Sequence, residues 1–213
     1  MERLRTSMIS CIWLLLPLLA ESAGVDTFRL VKKDAVIALY ERWISTGSGD
    51  KVREIKAVFQ VKTNVAAVIG LFKDQQKGRE WNINACEYRI IPSNDTSSWL
   101  TYIRYNIPWP MDDQDACLHY HYQSSGTQSE VAFESATNSR FPVQHNTTRI
   151  TGTRGKWIME EQGAGTLQVT YLVTTDRNKK VPRWIADPVI HDHLFKTMTR
   201  FKSLLENHYY GSH

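Results

Sequence analysis

His119 and His121 alternate onto one face of a strand-like run, and His191 and His193 stand two positions apart at the start of a helical one. A His-x-His pair supplies two metal ligands where a closed site needs about four. The spacing names no others, so ordinary exposed histidines are expected and no metal is implied. Asp112, Asp113 and Asp115 crowd one turn but lack the loop spacing and glycine of a calcium site, and read as turn and cap residues. Gly163, Ala164 and Gly165 are followed by a strand pattern, which fits a hairpin tip better than a phosphate cradle. No nucleophile elbow or catalytic cysteine signature is present. Glu160 and Glu161 are the carboxylates that acid and base chemistry would need if turned inward. By alternation Glu161 shares the face of Trp157 and Met159, yet near its strand's end it reads as an edge residue. No cofactor is called for.

The remaining chemistry is that of binding. In residues 98–107, Trp99, Thr101, Ile103 and Tyr105 share one side; in 115–123, Leu118, Tyr120 and Tyr122 do. Trp157 and Met159 share a side in 148–161, as do Leu167, Val169, Tyr171 and Val173 in 165–175. Aliphatic residues would fill a solid interior with no polar tips to satisfy, whereas Tyr hydroxyls and Trp N–H groups ask for partners when buried. Such a wall suits a cavity for an amphipathic guest or ordered water. A solid core whose Tyr tips reach the rim is the competing reading. Tyr105, Tyr120 and Tyr171 are the expected orienting groups for a guest's polar end.

These strands need something to face. Ile190, Leu194, Met198, Phe201 and Leu205 recur at helical spacing along 182–208, predicting a long amphipathic helix that begins near Pro182, with Asp187 and Pro188 marking a shoulder or restart. Its stripe needs a sheet to lie on, and Ile190, Leu194 and Met198 complete the expected ligand-binding set. Upstream, 36–45 and 52–62 flank a Gly, Ser and Asp turn and read as a hairpin. Residues 27–33 read as a short helix or extended segment. After Thr63 and Asn64, either able to cap, Val65, Val68, Ile69 and Phe72 share a helical face, with the polar run 74–80 ending that helix. Six strands follow in a meander: 84–91, 98–107, 115–123, 129–136, 148–161 and 165–175. The fold class is α+β.

The chain has 213 residues, 42% hydrophobic and 11% aromatic, enough for one domain with a substantial core. Residues 1–23 stand apart: Arg3 and Arg5 precede an apolar run of about 13 residues, short of the roughly 20 a membrane span needs, and small residues follow. An export signal is expected, placing the domain 24–213 in the periplasm or outside the cell. An uncleaved anchor is the alternative. The net charge of +4 is mild. Arg177, Lys179, Lys180 and Arg183 could meet an anionic membrane surface transiently or form a solvated loop; no nucleic-acid reader motif is present. A monomer is expected. In the meander one strand separates Cys86 from Cys117, about 9 to 10 Å at normal strand spacing, beyond disulfide reach. Two buried free thiols are expected.

Three stretches resemble a known family. FRLVKKDAVIALYER (28–42), with Tyr40 and Arg42, is similar to the opening of the START (StAR-related lipid transfer) domain, within the helix-grip, Bet v 1-like superfamily. PWPMDDQDA (108–116) resembles its Pro-aromatic-Pro turn leading to an Asp, and Asp176 followed by VPRWI (181–185) resembles its approach to the lid helix. Gln114 departs from the family's frequent Arg, and the loop 137–147 has its own sequence. The resemblance covers nearly all of 24–210. It implies a curved antiparallel sheet gripping the final helix and a non-enzymatic module enclosing one hydrophobic molecule, often a lipid or sterol. The superfamily's cyclases and aromatases supply the enzymatic alternative.

Overall fold

The computed structural model describes residues 27–45, 51–107, 112–175 and 182–211. Segment 1–23, Arg177, Lys179 and Lys180, and parts of the expected turns at 46–50 and 108–111 lie outside the described residues.

The chain forms strands β1 (Arg29–Lys33), β2 (Ile37–Ser45) and β3 (Lys51–Lys62), helices α1 (Val65–Phe72) and α2 (Gln75–Trp81), and strands β4 (Ala85–Pro92), β5 (Ser98–Tyr105), β6 (Asp113–Ser125), β7 (Gln128–Ser135), β8 (Thr147–Arg149), β9 (Arg154–Glu161) and β10 (Thr166–Thr174). Helix α3 (Arg183–Gly211) closes it. Among the described residues, nine strands pair antiparallel in the order β1-β2-β3-β10-β9-β7-β6-β5-β4, while β8 pairs in parallel with β6. The expected hairpin is β2–β3, and the expected meander is present.

Register sets the inner wall. Phe59, Val169 and Met159 lie in one row, and Ala57, Tyr171, Trp157 and Val131 in the next. A third row runs Val173, Gly155, Phe133, Tyr120 and Trp99. Gly155 is needed there: a Cβ would stand 2.6 Å from the Phe133 ring and 2.1 Å from the Leu172 carbonyl oxygen. Helix α3 lays Phe195, Met198, Phe201 and Leu205 onto this wall, all buried. Pro182 accepts at its carbonyl from Ile185 and Ala186 N–H, and the helix runs through Pro188 without a restart.

Several local expectations change. Residues 29–33 take the extended alternative, as a strand. The polar run 74–80 is not a helix tail but the body of a second helix, α2, whose N-terminus Asp74 caps by accepting from Lys77 N–H at 2.9 Å. Gly78 presses against Tyr88, where a Cβ would be 2.3 Å from the ring, so α2 docks where a larger residue could not. The run 148–161 is two strands, β8 and β9, divided at Gly152, whose positive φ of 62° turns the chain. Strand β5 separates the cysteines and both are free, but only Cys117 is buried; Cys86 is half-buried.

Candidate functional site

The inner wall and the facing side of α3 define the interior. Of the expected set, Trp99, Thr101, Ile103, Leu118, Tyr120, Trp157, Met159, Val169 and Met198 are buried there, and Tyr105, Tyr122, Tyr171, Val173, Ile190 and Leu194 are half-buried around them. Part of the aromatic content is solidly packed. Phe72, the last residue of α1, contacts the rings of Trp157 at 5.1 Å, Phe201 at 5.4 Å and Tyr120 at 6.3 Å, while Trp99 and Tyr120 stack at 5.2 Å. This end of the interior therefore resembles the solid-core reading.

Next to it, around Tyr105 and at Tyr171, whose ring lies 4.4 Å from that of Trp157, the wall is less covered. Tyr105 and Tyr171 keep accessible surface, yet surrounding protein pushes their phenols well above the ordinary value. Accessible surface on these inward-facing rings marks a recess in the wall. Burial also raises the Tyr120 phenol, with Tyr88, Tyr171 and Tyr105 adding to it. All stay neutral at ordinary pH, acting as hydrogen-bonding groups and never as charges. His193, on α3, sets its ring edge-on to Tyr105 at 5.8 Å, and burial lowers its pKa. Tyr105 donates to Asn82 Oδ1 at 3.4 Å.

The sequence reading missed a polar strap beside this recess. Glu41 follows Ile37 and Leu39 on the inner face of β2 and is only 4% exposed. Its carboxylate takes Arg29 and, 3.0 Å away, His191 Nε2, with Arg53 at 3.7 Å. Burial pushes this carboxyl up, but Arg29, His191 and Arg53 outweigh it and the net pKa is below the ordinary value. Arg53 reaches Asp187 at 2.6 Å and Lys32 reaches Asp192 at 2.9 Å. His191 and His193 thus do not converge and are not exposed: one serves the strap, the other the recess.

Other candidates fall away from the interior. Exposed His121 accepts or donates at Ser98 Oγ, 3.1 Å away, and His119 is exposed beside it. Both line a groove of about 450 Å³ with Arg154, Lys156, Glu54 and Glu134, which are outward residues of the sheet. Among the described residues no three His, Cys, Asp or Glu are grouped to hold a metal. Glu161 is exposed, and Glu160 accepts from Gln168 at 3.3 Å. Asp113 accepts from Ile107 N–H at 3.1 Å. Asp115, expected as a turn residue, is instead fully buried on the sheet's outer side. It takes Arg149 in two hydrogen bonds, 2.6 and 2.8 Å, and Tyr102 at 3.1 Å. Arg149 also holds the Phe141 carbonyl, and Phe141 stacks on Tyr102 at 4.3 Å, so the loop 137–147 lies over the outer side of β5 and β6.

A curated, uncharacterised Pseudomonas aeruginosa protein is 24% identical over 188 residues, 88% of this chain and 91% of that one. The fold is similar to a STAR-related lipid transfer protein of Xanthomonas axonopodis, with a TM-score of 0.72 and 22% identity over 84% of this chain and 99% of the other. It is also similar to human StAR-related lipid transfer protein 5, with a TM-score of 0.72 and 10% identity over 89% and 90% of the two chains. The sequence profile described as START domain matches residues 29–210. With that match spanning most of its length, the chain belongs to the START domain family.

Proposed function

We propose that this protein is a carrier or sensor that encloses one hydrophobic molecule of the lipid or sterol class between the inner wall and α3. The observation that carries the reading is the pair Tyr105 and Tyr171, which face inward yet keep accessible surface, beside a core built mainly of apolar and aromatic side chains. Burial of the guest draws on the hydrophobic effect, at roughly 25 cal/mol per Å² of apolar surface. The binding set is the fifteen residues placed above, with Tyr105, Tyr120 and Tyr171 orienting the polar end. A non-enzymatic role fits the carboxylates: the buried ones among the described residues, Glu41 and Asp115, are both held by arginine.

The same reading places the protein outside the cytoplasm through segment 1–23, as a monomer. Trp184, 79% exposed at the start of α3 and next to the basic stretch, is the natural point of transient membrane contact.

The test is native mass spectrometry of protein purified from its host, followed by organic extraction. A stoichiometric apolar mass is expected. An empty protein that also fails to take up lipid from vesicles of host lipid extract would refute the carrier reading.

A further inference from the structure

Trp81 ends α2 and Trp99 lies on β5, and their rings flank Phe72 at 6.2 and 6.5 Å. They are 4% and 1% exposed. An indole N–H can only donate, and among the described residues neither Nε1 has a hydrogen-bond partner. Two of the neighbouring polar groups are engaged: Tyr88 donates to the Phe72 carbonyl at 2.9 Å and Asn82 Nδ2 to the Gly78 carbonyl at 2.8 Å. Thr101 Oγ1, fully buried, feels the Tyr88 hydroxyl but makes no well-formed hydrogen bond. Buried donors are almost always paired, because leaving one dry costs its full hydration. Two unpaired indoles flanking Phe72, in the end of the interior that side chains otherwise fill, therefore point to an acceptor group that enters from outside the chain.

The charge of that acceptor is also constrained. Among the described residues no lysine or arginine is fully buried. Lys73 reaches the Trp99 ring at 4.6 Å, but it is exposed and its ammonium donates to the Thr96 carbonyl. A phosphate brought inside this end would meet neutral donors, with only the surface ammonium of Lys73, already shared with Thr96, nearby, too little to replace its hydration.

We propose that the N–H groups of Trp81 and Trp99 are specificity-determining donors for an uncharged oxygen, so that the guest is a neutral lipid with a hydroxyl, ether or carbonyl group and not one with a charged headgroup. This rests on the carrier reading.

The test uses the full chain with three probes: 10-(1-pyrenyl)decanol, 1-decylpyrene and a pyrene-labelled phosphatidylcholine. In two-dimensional ¹H–¹⁵N spectra the indole signals of Trp81 and Trp99, assigned through Trp81→Phe and Trp99→Phe, should move downfield with the alcohol and not with the hydrocarbon. Each variant should weaken the alcohol about fivefold relative to the hydrocarbon, the size of one lost hydrogen bond; the ratio cancels any packing loss common to both probes. If a variant fails to fold, triple-resonance assignment of the wild-type indoles replaces it, and the wild-type spectra still decide. Alcohol and hydrocarbon falling together, with unmoved indole signals, would mean that the two N–H groups hold water only, which overturns this inference and leaves the carrier reading intact. Preferential binding of the phosphatidylcholine would overturn the neutral class. Uptake of none of the three overturns the inference, whereas the carrier reading fails only if the extraction and host-lipid tests are also negative.

Discussion

The two halves of α3 are held by different physics. From Trp184 to Leu194 the helix is tied to β1–β3 by Glu41 with His191, Arg53 with Asp187 and Lys32 with Asp192, while its apolar residues stay half-buried or exposed. From Phe195 to Leu205 it is fastened by Phe195, Met198, Phe201 and Leu205, all buried. Apolar packing is insensitive to pH and strongest in a dense core; ion pairs are directional and depend on protonation. One continuous helix can therefore loosen at its first half while its second half stays docked, and the first half lies beside the recess holding Tyr105.

The largest effect should come from the packed half. Phe201→Ala removes a ring that touches Phe59, Phe72, Trp81 and Trp157, and should lower global stability by about 3–5 kcal/mol in chemical denaturation. A loss under ~1 kcal/mol would mean that this half is not the anchor.

Glu41→Gln comes next. It leaves Arg29, Arg53 and His191 without their shared carboxylate and should destabilise by about 1–3 kcal/mol. The pattern matters more than the size. Hydrogen exchange should accelerate over 184–194 and change little over 198–205; uniform acceleration would erase the distinction between the halves.

Acid should give a smaller version of that pattern. The Glu41 carboxyl lies below its ordinary 4.5, and that of Asp192 is lowered from 3.8 to about 2 by Lys196 and Lys32. A carboxyl depressed in the folded state contributes stability above its unfolded pKa and loses it as pH falls through the folded one. Protection at 184–194, taken against the intrinsic exchange rate at each pH, should therefore fall between about pH 4 and 2, before that at 198–205. Asp192 is substantially exposed, so its share is small.

The packed half was the legible half. Helical spacing from Ile190 to Leu205 and alternation in β5, β6, β9 and β10 locate the wall, because apolar burial repeats with the period of the backbone. The strap repeats with nothing. Glu41 continues the inward phase of Ile37 and Leu39, but a carboxylate in a strand reads as outward unless its partners are known, and His191 lies 150 positions away in sequence. Asp115 was opaque for the same reason, its Arg149 being 34 positions on. Helix α2 escaped notice because seven residues, packing mainly through Gly78 and Trp81, are too few to display a period. The tyrosines were found by type and alternation, while the unpaired N–H of Trp81 has no signature short of coordinates.

The outer loop anchored by Asp115 and Arg149 turns one cysteine into a clock. Cys117 lies under that loop at 1% exposure, its carbonyl accepting from Ala136 N–H, and burial raises its thiol pKa. Cys86, two strands along, is half-buried. A thiol reagent should thus modify Cys86 directly and Cys117 only when the loop lifts. The ratio of the two labelling rates would time the opening of the sheet's outer cover, separately from any motion of the helix within it.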